Sequence, residues 1–103
     1  MLDNKDFVIK FLMHHADPNL KEKFGNDALY YSIKNGNIDI FTILLKNGAD
    51  VNSIYIDHKT PLICATLLKN EKMIREIMLK GGDPYAKDLN GESAISYAAK
   101  NDG

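Results

Sequence analysis

Four side chains hold most of the covalent or metal chemistry this chain could perform: His14, His15, His58 and Cys64. Neighbouring residues on a helix project about 100° apart, so His14 and His15 cannot share a metal ion, and the only ligand-type residue at helical spacing is Asp17, in a turn. A cysteine nucleophile needs a base and a group that orients it. His58 lies six residues before Cys64, across a turn and a helix start, with no third group in register. The seven glycines fall singly or paired at punctuation points and form no phosphate-cradling loop. These spacings predict no catalytic residue, no metal and no cofactor, and Cys64 is read as a small core residue.

The acidic residues carry the informative pattern. Asp17, Asp50 and Asp83 stand 33 residues apart and close the phrases His15-Ala16-Asp17-Pro18-Asn19, Gly48-Ala49-Asp50-Val51-Asn52 and Gly81-Gly82-Asp83-Pro84-Tyr85. Self-similarity at such a period marks a repeat protein, each unit burying its apolar face against its neighbours. The same shift aligns Asp27-Ala28-Leu29, Thr60-Pro61-Leu62 and Ser93-Ala94-Ile95. Each triplet opens with a side-chain oxygen suited to a helix N-cap, and apolar residues follow at helical spacing. A second helical pattern follows in Ile40-Phe41, Ile43-Leu44-Leu45 and again in Met73-Ile74, Ile77-Met78-Leu79, with an earlier copy in Phe7-Val8 and Phe11-Leu12. Asn35-Gly36-Asn37 supplies a turn between helices, and the stretches 17–26, 50–59 and 83–92 read as protruding turns.

With these residues in place, the chain resembles ankyrin repeats. Thr60-Pro61-Leu62-Ile63-Cys64-Ala65 matches the T-P-L-H-x-A signature everywhere except the histidine. Asp88-Leu89-Asn90-Gly91, Gly36-Asn37-Ile38-Asp39 and Leu44-Leu45-Lys46-Asn47-Gly48-Ala49-Asp50-Val51-Asn52 match at the tip, between the helices and at the repeat end. The resemblance implies an all-α ankyrin-repeat solenoid of antiparallel helix pairs with protruding β-turns. The expected organisation is one domain over 1–103: a second helix in 1–17, whole repeats in 18–50 and 51–83, and a first helix in 84–103. Half repeats at both ends suit a fragment, a regulatory segment of a larger protein, or self-association through the end helices. The middle copy departs from the family at His58, Lys69-Asn70 and Glu76, which predicts distorted turns there.

Composition narrows the partners. Thirteen basic and fourteen acidic residues give a net charge of -1, with no run of one sign to attract nucleic acid or an anionic membrane. One cysteine, charge among the first residues and no 18-residue apolar run predict an intracellular, cytoplasmic protein. The remaining partner is another protein. Ankyrin repeats, by the resemblance, bind proteins through turn tips and the face made by their first helices, which maps here to Lys23, Phe24, Ile54, Tyr55, Ile56, Asp57, Lys59, Leu67, Leu68, Leu89 and Glu92. Ile54-Tyr55-Ile56 has no folding reason to occupy an exposed turn, unless its isoleucines fold back onto the neighbouring tip. Leu67 and Leu68 have the same two readings, contact surface or core. Asn19 and Asn52 are read as braces of the turn. Asn52 also resembles the target of the asparaginyl hydroxylase that modifies ankyrin proteins, which implies a modification position.

Overall fold

The computed structural model describes residues 18–21 and 23–101. The expected helix in 1–17, with His14 and His15, lies outside the described residues. Each of the five described helices starts at a residue whose short side chain takes up an amide proton that the first turn leaves without a helical partner. Asp27 Oδ1 accepts from the Tyr30 amide at 2.9 Å and opens α1, Ala28–Lys34. Asn37 Oδ1 does the same for the Ile40 amide at 3.2 Å, opening α2, Ile38–Lys46. Thr60 Oγ1 caps the Ile63 amide at 3.2 Å, with Pro61 preset for the first turn of α3, Pro61–Leu67. Asn70 caps Met73 and opens α4, Glu71–Leu79. For α5, Ala94–Asn101, the cap is reciprocal: Ser93 Oγ accepts from the Ser96 amide, while Ser96 Oγ accepts from the Ser93 amide.

The chain divides into two compact units, Met1–Asp50 and Val51–Gly103. In the first, α1 and α2 pack as a hairpin. Leu29 and Ile33 from one helix, and Phe41 and Leu44 from the other, are fully enclosed. In the second, α3 packs against both α4 and α5, with Leu62, Ile63, Met73 and Ile77 inside. Burial of each such side chain contributes roughly 1.5–3 kcal/mol, which is why periodic apolar residues outweigh the modest intrinsic stability of helices only seven to nine residues long. Among the described residues there is no strand, and no helix is long and apolar enough to cross a membrane.

The expected distortion between the helices of the middle copy is not found. Gly36 ends the α1–α2 turn in the left-handed region at φ 67°, and Lys69, one repeat later, adopts φ 58° without being glycine. At the tip, His58 at φ 59° stands where Gly91 at φ 76° stands one repeat on, and Asp57 beside it is also left-handed. The surrounding fold therefore imposes the turn on residues that disfavour it, at about 1–2 kcal/mol each. Glycine would relieve that strain and lose part of the gain to its freer unfolded chain. Lys69→Gly is expected to stabilise the protein by about 0.5–1 kcal/mol, measured as a higher urea midpoint at unchanged slope.

Candidate functional site

The tip between residues 53 and 59 is built on alternation. Ser53 and Tyr55 point inward, while Ile54 and Ile56 are 46% and 64% exposed. Tyr55 has extended backbone and is 4% exposed, so its neighbours on either side must face away from it. The segment then tightens into one turn of 3₁₀ helix, Ile56–His58, closed by the Tyr55 amide donating to the Lys59 carbonyl at 2.7 Å. This corrects one sequence expectation: Tyr55 is a core residue, and its ring is not presented as an anchor. The isoleucines do not fold back.

A second tip meets the first. The Leu89 amide donates to the Asp57 carbonyl at 2.9 Å, which holds the 55–59 and 88–91 tips edge to edge. Leu89 is itself 65% exposed. The bond sets the two tips side by side, with Ile56 and Leu89 each exposed on its own tip. Leu67 and Leu68, at the far end of α3, are exposed as well, about 10 Å along the helix from the tip. Lys69 ends that helix in the left-handed region without turning either leucine inward. In the other unit Phe24 is exposed, with the Lys23 ammonium 5.1 Å from its ring centroid, a cation–π contact.

Beneath the joined tips lies a polar cluster that sequence reasoning missed. The Asp88 carboxylate is enclosed; its Oδ2 accepts from Tyr97 Oη at 2.5 Å and from Lys59 Nζ at 3.1 Å, and its Oδ1 accepts from the Asn90 and Glu92 amides. The Tyr97 hydroxyl bond, together with those from the Glu92 amide, Lys59 and the Asn90 amide, outweighs the opposing effect of burial and holds the Asp88 carboxyl well below the usual carboxylate range. The same bond, followed by burial, raises the Tyr97 pKa. For Lys59, burial pulls downward, but the bond to Asp88 and its charge prevail and the pKa is raised. Glu92 pairs with Lys100 across the same tyrosine. Lys59 and Glu92, expected among the partner-binding residues, are thus paired within the molecule, and Asp57 is the exposed carboxylate beside the isoleucines. The partners in this cluster are 29 and 9 residues apart, and no local pattern in the sequence links them.

Both turn asparagines are braces. Asn52 Nδ2 donates to the Gly81 carbonyl at 3.1 Å, and Oδ1 accepts from the Asp83 amide at 2.9 Å. Asn19 makes the equivalent pair with Gly48 and Asp50. Asn52→Ala is expected to cost about 1–2 kcal/mol, two exposed hydrogen bonds, read as a shift in the chemical-denaturation midpoint. Among the described residues no group of His, Cys, Asp and Glu could hold a metal ion. Cys64 sits half-buried on α3, and His58 is exposed at the tip.

Capped helix hairpins and turn tips that recur at a 33-residue period define a helical-repeat protein. A family model described as ankyrin repeats in three copies matches residues 1–88, and the chain belongs to the ankyrin-repeat family. Ankyrin repeats are protein–protein interaction modules, so binding of other proteins is the general property that comes with the fold. The chain is similar to neurogenic locus notch homolog protein 1 of Danio rerio, at 35% identity over 91% of this chain and 4% of that protein. It is also similar to BCL-6 corepressor-like protein 1 of Mus musculus, at 31% over 95% and 6% of the two chains. A viral relative is the interferon antagonist OPG040 of Vaccinia virus (strain Western Reserve), 29% identical over 91% of this chain and 32% of its own length. The chain therefore spans a small part of each of these relatives.

Proposed function

We propose that this chain is a non-catalytic, intracellular binding module that captures a partner polypeptide on the surface formed by Ile54, Ile56 and Leu89, with Leu67 and Leu68 extending it along α3. The observation that carries the reading is the Leu89–Asp57 backbone bond, which sets two tips bearing exposed apolar side chains side by side and so supports reading them as one surface. Clustered apolar side chains with a polar rim favour protein partners, because their desolvation is recovered only when another apolar surface covers them. Asp57 supplies the rim charge here, which orients a partner more than it adds affinity. Phe24 with Lys23 is a separate proposed contact, confined to its own unit. Asn52 remains a proposed hydroxylation position; intact-mass measurement after exposure to an asparaginyl hydroxylase is expected to show one added oxygen.

The test is affinity capture with the whole chain beside its Ile56→Asp variant. A partner retained by the first and lost from the second, with matched circular dichroism, supports the tip surface. Equal retention by both sinks it.

A further inference from the structure

The turn at 56–58 carries backbone strain that the matching turns of the other copies avoid. Gly25 and Gly91 enter the left-handed region at φ 84° and 76°, which costs glycine nothing, and the residues before them, Phe24 and Asn90, stay out of it. His58 and Asp57, at the same two places in the middle copy, are both left-handed, at φ 59° and 61°. Such backbone persists only where its surroundings over-determine it. From within, the Tyr55 amide on the Lys59 carbonyl and the His58 amide on the Tyr55 carbonyl close the turn, at 2.7 and 3.1 Å. From the next tip two consecutive residues hold it: Leu89 donates its amide to the Asp57 carbonyl at 2.9 Å, and Asp88 accepts from Lys59 Nζ at 3.1 Å.

Asp88 is itself anchored on both sides of Leu89. Its Oδ1 accepts from the Asn90 and Glu92 amides, and its Oδ2 accepts from Tyr97 Oη of α5 at 2.5 Å. We propose that Lys59, Asp88 and Tyr97 form a latch that keeps the strained 56–58 turn on the 88–92 tip, and that breaking it lets the turn relax away. Lys59 and Tyr97 are then positioning residues: they act on a partner by setting where the exposed Ile56 and Leu89 stand. This use of the latch rests on the binding surface proposed above; the latch itself does not. Hydrogen bonds to a charged group are the strong ones, so losing one raises the opened fraction at least about tenfold.

Amide hydrogen exchange of the whole chain, read residue by residue by NMR, tests it with two variants. Tyr97→Phe keeps the ring and removes the hydroxyl, and Lys59→Met keeps most of the stem. In each, the Leu89 amide is expected to exchange at least about tenfold faster relative to the Thr66 and Ile77 amides inside α3 and α4. Adding His58→Gly, the residue both other tips carry there, is expected to return Leu89 exchange in Tyr97→Phe several-fold toward the wild-type rate, because less strain drives the opening. A cluster that only stabilises the fold accelerates all three amides by one common factor. That result overturns the proposal, as does an unchanged Leu89 amide or a glycine that returns nothing. Should circular dichroism show Tyr97→Phe losing helix, Lys59→Met carries the same comparison. If Leu89 exchange responds as expected while Ile56→Asp still captures the partner, the latch stands and the surface falls; the opposite pair of results does the reverse.

Discussion

Aspartate at both Ile54 and Ile56 is expected to abolish partner capture while leaving the fold intact. Both side chains are largely exposed, so charging them removes little that holds the chain together, and the thermal midpoint should move by less than about 2 °C, the scale of a few tenths of a kcal/mol in a domain this small. In a complex the same positions are desolvated. A central apolar anchor contributes at least about 2 kcal/mol, and each substitution is expected to weaken affinity at least about 30-fold. The most informative comparison is Tyr55→Ala, because that ring is buried and its loss creates a cavity. It should unfold the protein at lower temperature by roughly 3 kcal/mol while the folded fraction retains affinity. If Tyr55→Ala weakens binding and Ile56→Asp does not, the exposed face of the tip is misassigned. Isothermal titration of both variants with the captured partner distinguishes the cases.

Asp88→Asn is expected to have the largest effect on how stability responds to pH. The carboxylate takes four hydrogen bonds, one from a cation, and its folded pKa lies below the ordinary value of 3.8. A carboxyl depressed by folding adds stability that is fully present above the unfolded pKa and is lost as pH falls through the folded one. The wild-type protein should therefore keep this contribution at neutral pH and lose it progressively below about pH 4. Lys59 and Tyr97, both raised, act at the other end: their contributions hold below their ordinary values near 10 and fade as pH rises through the folded ones. Asparagine cannot ionise and leaves the Lys59 ammonium without its counter-charge. At pH 7 the variant is expected to melt roughly 10 °C lower, and below pH 4 the two curves should converge. Parallel curves over that range would mean that the Asp88 charge is not what joins the tips to α5.

The regular parts of this fold were legible because they are written in local code. Asp27, Thr60 and Ser93 announce helix starts by side-chain chemistry, and Leu29, Leu62 and Phe41 announce buried faces by spacing; neither signal needs a distant partner. Asn37 and Asn70 were read only as turn residues, although each caps a second helix, because an asparagine suits a turn and a cap equally well. The candidate site was half legible. Ile54 and Ile56 stood out as apolar residues the repeat does not require, but the inward turn of Tyr55 depends on strand-like alternation over only four residues, too short a run to set its phase. The Lys59–Asp88–Tyr97 cluster was invisible, since each member fits its own repeat position and the cluster exists only once adjacent tips meet. The left-handed Lys69 is the opposite case: sequence flagged a missing glycine, and the fold absorbed the strain instead of changing shape.

The bond from the Leu89 amide to the Asp57 carbonyl also sets how fast a partner can be caught. Loops that must order before they bind slow association and absorb part of the interaction energy. Two tips already tied by backbone present their isoleucines and leucine in one arrangement before any encounter. Association should then run at the ordinary docking rate of about 10⁵–10⁷ per molar per second, with no protein-concentration-independent phase, and differences among partners should appear in how long they stay.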